Sequence, residues 1–152
     1  MTIKSYINSK ALSFAESEVA PIHLGSLNDR HYYAFAKGIK PAKGNKNVED
    51  RELEDVIKSS LLIQQIKEEA GRRINAVAPA WKQQNALADL YLLGDRDDLN
   101  EEEKKDLIEA QDLLARVKEI RKRSDEIENS FLDGVALDYL NDKAWEDIKD
   151  AE

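Results

Sequence analysis

A proline stands at position 79 inside a stretch that otherwise reads as continuous helix: residues 71–87 are GRRINAVAPAWKQQNAL. Proline has no N–H to give to the preceding turn, and its ring pushes Ala78 out of the α region. The same residue suits the first turn of a new helix. The stretch therefore predicts one helix ending at Ala78 and another running from about Pro79 to Leu93, with Gly94 as its stop. The chain is constrained to a helical hairpin or small bundle around this break.

The helix before the break is expected to start near Val48. Asn47 is placed to cap it, and Glu49, Asp50 and Glu52 lie in the first turn, where the helix dipole favours anions. Val56, Ile63, Ala70 and Val77 repeat every seven residues, and Leu53, Leu62 and Ile66 widen the stripe. Gly71 weakens this helix by about 1 kcal/mol relative to alanine. Beyond the polar loop GDRDDLN, Asn100 followed by Glu103 forms a capping box that opens a third helix, expected to reach Leu132. Ala110, Leu113, Val117, Ile120, Ser124, Ile127 and Phe131 then follow a coiled-coil-like spacing, interrupted chemically only by Ser124. Gly134 ends that helix. A short fourth helix is expected over residues 135–149, with Val135, Leu137, Leu140, Trp145 and Ile148 as its apolar contacts. The last residues, KDAE, should fray.

Residues 1–47 differ in kind. They hold Pro21 and Pro41, both histidines, three of the five tyrosines and two of the three phenylalanines, and they end in the connector PAKGNKN. Ile3, Tyr6 and Ile7 fit a helix or a strand, and HYYAFAKG fits a strand or a helical turn. The segment reads as an extended arm ordered by a partner. Tyr32, Tyr33 and Phe35 suit docking, because 47 residues of this composition hold little core of their own. The expected fold is all-α: an antiparallel helical hairpin or small bundle over residues 48–152, preceded by an extended N-terminal arm over 1–47.

Charged residues make up 36% of the 152 and the net charge is −8. That balance opposes non-specific nucleic-acid binding and attraction to anionic membranes. There is no cysteine, hence no disulfide, thiol catalysis or thiolate metal site. No apolar run approaches a membrane span, and MTIKSYINSK lacks the apolar core of a signal peptide.

No motif assembles a catalytic site. His23 and His31, eight apart, would need further ligands at set spacing to hold a metal, and read as loop histidines. The carboxylates of GDRDDLNEEE lack the central glycine of a calcium hand and read as a loop before a helix start. Lys118, Arg121, Lys122 and Arg123 form a basic cluster, but Glu119, Asp125, Glu126 and Glu128 flank it, as on a salt-laced solvated face. Trp81 reads first as a core aromatic anchoring its helix on its neighbours. The alternative makes it an exposed anchor for a partner, with Lys82, Gln83 and Asn85 as hydrogen-bonding groups at the helix corner.

Residues 73–89, RINAVAPAWKQQNALAD, and residues 117–128, VKEIRKRSDEIE, together resemble a C-terminal helical module common in proteins of tailed bacteriophages. That module carries an A-P-x-W-K-Q-R-N type motif and later an I-R-x-x-S-x-x-I-E type ending. The matching residues are Ala78, Pro79, Trp81, Lys82, Gln83 and Asn85, then Ile120, Arg121, Ser124, Asp125, Ile127 and Glu128. Gln84 stands where arginine is usual, which removes any ion pair made from that position. The resemblance spans about residues 70–130. It implies a structural protein of a phage tail or tail-fibre apparatus, with no enzyme activity and no cofactor. Such a protein would be made in the host cytoplasm and carried in the virion. Its partners would be other tail or fibre proteins and further copies of itself, not nucleic acid or membrane. Trp81, Lys82, Gln83, Asn85 and Arg121, with Tyr32, Tyr33 and Phe35, would be the interaction residues. The alternative is a cytoplasmic assembly chaperone absent from the finished particle.

Overall fold

The computed structural model describes residues 2–7 and 19–146, and it corrects the all-α expectation. The segment read as an extended arm forms a four-stranded antiparallel sheet. Its strands are β1 (Thr2–Ile7), β2 (Ile22–Leu27), β3 (Arg30–Phe35) and β4 (Lys46–Asn47), in the order β2-β3-β1-β4. The physical reason lies in the turn between β2 and β3. Asn28 and Asp29 both take positive φ, 49° and 58°, the backbone of a two-residue hairpin turn whose twist matches that of paired strands. Asparagine and aspartate tolerate that region because their short side chains bond locally.

Alternation along β3 then fills both faces of the sheet. Tyr32 and Ala34 join Ile3, Leu24, Val56 and Leu132 in one apolar cluster, while Tyr33 and Phe35 join Tyr6 in another, covered by Ile39 and Ala42. The aromatic residues assigned to docking are therefore core: Tyr32, Tyr33 and Phe35 are all buried.

The helices are α1 (Asp50–Ser59), α2 (Leu61–Val77), α3 (Ala80–Leu93) and α4 (Glu101–Leu132). The single helix expected from Val48 to Ala78 is two. Ser60 leaves the helical region (φ −70°, ψ 118°) and serves both ends of the break. Its amide donates to the Ile57 carbonyl at 3.3 Å. Its hydroxyl accepts from the Ile63 amide at 3.4 Å, an N-cap role typical of serine. Ser60 is buried, and a Cβ built on Gly25 of β2 would meet its Cα at 3.9 Å. The first helix starts at Asp50 rather than Val48, because Asn47 is drawn into β4 against Lys4.

The expected Pro79 break is present. The Ala78 amide still donates to Ile74, and the Gln83 side-chain amide donates to the Ala78 carbonyl at 2.7 Å. Gly94 closes α3 in the right-handed region, not as a left-handed stop. The capping box at α4 is formed in both directions, each bond 2.9 Å between Asn100 and Glu103. The fourth helix is absent from the described residues. Residues after Gly134 make turns and one 3-10 turn, Asp142–Trp145, and residues 147–152, including the expected fraying end, lie outside the description. Polar anchors replace a helical ladder there. The Trp145 indole donates to the Tyr139 carbonyl at 2.7 Å, and the Tyr139 hydroxyl donates to Gln65 at 3.0 Å.

The chain falls into two compact units, one drawn from Met1–Lys67 and Asp125–Glu152, the other from Glu68–Ser124. The first contains the sheet, α1 and all three apolar clusters. In its second cluster Ile63, Ile66, Ile127 and Phe131 bring the start of α2 against the end of α4.

Candidate functional site

The helical unit 68–124 fully buries only small apolar residues and leaves several large ones on its surface. Its buried apolar positions are small: Ala70, Ala78, Ala86 and Ala110, with Val117 the largest. Five of its large apolar residues are well exposed: Trp81 59%, Leu87 57%, Tyr91 88%, Leu92 63% and Ile108 57%. Ile74, Leu90, Leu93, Leu113 and Ile120 are half-buried. The seam read along α4 faces inward at Ala110, Val117 and Ser124.

On α3, at 100° per residue, Gln83, Ala86, Leu90 and Leu93 form the inward side. Trp81, Gln84, Ala88, Tyr91 and Leu92 form the outward stripe, and every one of them is exposed. The outward side of a solvated helix is normally charged. This one carries no charge along its stripe.

The preferred core reading of Trp81 is thus corrected. At the start of α3 its side chain is 59% exposed, and Lys82 Nζ lies 5.4 Å from its ring centroid. Of the other residues assigned to interaction, Gln83 is turned inward to cap α2, whereas Lys82, Asn85 and Arg121 are exposed. Lys82, Asn85 and Asp89 of α3 and Asp106, Glu109 and Leu113 of α4 border an open groove of about 260 Å³ floored by Ala86 and Ala110. That is below the usual size of a small-molecule site.

Close to α3's C-terminal end, Arg96 gathers the acidic loop. It donates to Asp98 and to Glu103, both at 3.1 Å. The Arg96 guanidinium holds the Asp98 carboxyl below its usual range, and the Asn100 amide does the same for Glu103. In α2, Glu69 accepts from Arg72 and Arg73 at 2.6–2.7 Å, and Arg72 foremost lowers its pKa despite burial.

In the other unit, the sheet brings together two residues that the sequence left apart. His31 Nδ1 stands 3.3 Å from His23 Nε2 and 2.7 Å from the Ser26 hydroxyl, and the His23 ring lies 4.9 Å from that of Tyr33. Partial burial, then the neighbouring His31, lower the His23 pKa. Among the described residues no group of three or more His, Cys, Asp or Glu is placed to hold a metal ion, and no helix is long and apolar enough to cross a membrane.

The chain matches no protein-family profile, no curated protein and no solved structure.

Proposed function

We propose that the chain is a structural component of a bacteriophage tail or tail-fibre apparatus, made in the host cytoplasm and docking onto neighbouring virion subunits through the outward face of α3. The observation that carries the docking role is the exposure of four large apolar residues of α3: Trp81, Leu87, Tyr91 and Leu92. Large apolar side chains exposed along one helix of a small unit mark an interaction surface. Tryptophan and tyrosine are the residues that dominate such contacts. The phage assignment rests on the resemblance carried by Ala78, Pro79, Trp81, Lys82, Gln83 and Asn85, and that motif runs directly into the exposed face.

The test is incorporation. A chain carrying Trp81→Asp and Leu92→Asp should accumulate and show native helical content, yet be missing from purified particles. Incorporation at the wild-type level would remove α3 from the account. Binding to a tail protein in infected cells, with the wild-type chain absent from particles, would replace the virion role by that of an assembly chaperone.

A further inference from the structure

The two histidines of the chain share one face of the sheet because β2 carries a bulge. Ser26 pairs with His31 and Gly25 with Tyr32, but the next partner of Tyr33 is His23 and not Leu24. In unbroken register His23 would stand opposite Ala34, on the face that holds Tyr32 and Ala34. The extra residue, Leu24, packs with those two instead. Bulges that re-aim a side chain in this way are over-represented beside functional sites.

The re-aimed His23 becomes the diagonal neighbour of His31. His31 Nδ1 stands 3.3 Å from His23 Nε2. Two zinc–nitrogen bonds of about 2.0–2.1 Å, meeting at the tetrahedral angle, place their nitrogens about 3.3–3.4 Å apart. The Ser26 hydroxyl, 2.7 Å from His31 Nδ1, turns that nitrogen toward β2, and the Tyr33 ring backs the His23 ring at 4.9 Å. Each neutral imidazole can keep its proton on its other nitrogen, which leaves both facing lone pairs free. His23 is exposed and His31 half-buried, so an ion can reach the pair from solvent. The Arg30 guanidinium is tied to Ser5, which pairs with Tyr32 and so lies on the opposite face.

We propose that His23 Nε2 and His31 Nδ1 chelate a late first-row divalent cation such as zinc, which clips β2 to β3, with water in the remaining coordination positions. Imidazole nitrogens select zinc, copper and nickel over magnesium and calcium, which take oxygen ligands. Two protein ligands make an open site, weaker than the closed four-ligand kind. The proposal stands apart from the docking role of α3.

The experiment is a calorimetric zinc titration of the untagged full chain at about pH 7.5, above the ordinary histidine value, with urea unfolding in the presence and absence of zinc. The wild type should bind one zinc ion per chain. It should also unfold at higher urea when zinc is present, because an ion held only by the paired strands favours the folded state. His23→Gln and His31→Gln should each weaken binding by at least about tenfold and remove most of the zinc-dependent gain. The chain has no other histidine and no cysteine, so zinc that survives both substitutions is held by carboxylates. Magnesium at the same concentration should neither stabilise the chain nor displace zinc. In the wild type, zinc should shift the imidazole resonances of both histidines, a readout that does not depend on either variant folding. A wild type that binds no zinc, binding unchanged in both variants, or imidazole resonances unmoved by zinc would each overturn the proposal.

Discussion

Gly134 lies against the backbone of Ala36. A Cβ built on the glycine would stand 2.3 Å from the Ala36 amide nitrogen and 2.4 Å from the Phe35 carbonyl carbon. The glycine also has φ +78°, and its amide donates to the Phe131 carbonyl at 3.0 Å in the turn that ends α4. Two constraints coincide there: a left-handed backbone and a backbone neighbour that cannot move aside. Gly134→Ala is expected to cost at least about 2 kcal/mol in urea unfolding. A loss within a few tenths would mean that β3 and the end of α4 do not meet this closely.

Trp81 and Ile66 give a contrast in burial on successive helices. Trp81 is 59% exposed and Ile66 is 0% exposed. Trp81→Ala should change stability by under about 1 kcal/mol, whereas Ile66→Ala should cost about 2–5 kcal/mol. Equal losses would show that the indole is a core group after all.

The Tyr32 hydroxyl donates to the Glu52 carboxylate and ties β3 to α1. Burial first, then the Glu52 carboxylate, push the Tyr32 pKa up to about 12. A pKa raised by folding contributes stability that is present below the unfolded value of about 10 and lost as pH rises toward the folded one. Tyr32 should therefore titrate late in an ultraviolet pH titration, and its ionisation should coincide with loss of the fold. Tyr32→Phe should cost about 1–2 kcal/mol at neutral pH and remove that part of the alkaline sensitivity.

The histidine pair works in the opposite direction. Folding lowers the His23 pKa, so the unfolded chain takes up the proton more readily. Stability from this site is fully present above the unfolded value of about 6.5 and is lost as pH falls through the lower folded value. Urea midpoints of the wild type should drop between pH 7 and pH 5 by more than those of His23→Gln. Parallel curves would show that the pair has no bearing on the fold.

What the sequence revealed depended on whether its signals were local. The Pro79 break, the Asn100–Glu103 box and the inward seam of α4 each rest on a residue type with one dominant physical use, and each stands in the structure. The Asn28–Asp29 turn is equally local but ambiguous, because neither residue is the glycine that usually marks a two-residue hairpin. Both sit at positive φ between two six-residue strands. The Ser60 break was hidden by a heptad that continues through it: Val56 and Ile63 are both buried although they lie on different helices. The exposure of Trp81 had no local signal. It depends on how α3 is rotated against its neighbours, which place Ala86 and not Trp81 inward.

The most direct test of the account is the copy number of this chain in purified phage particles, measured by quantitative mass spectrometry. A structural component that docks through α3 should be present at fixed stoichiometry, and should disappear from the particle when Trp81 and Leu92 are replaced by aspartate. Absence of the wild-type chain from particles in which other tail proteins are found would contradict the account.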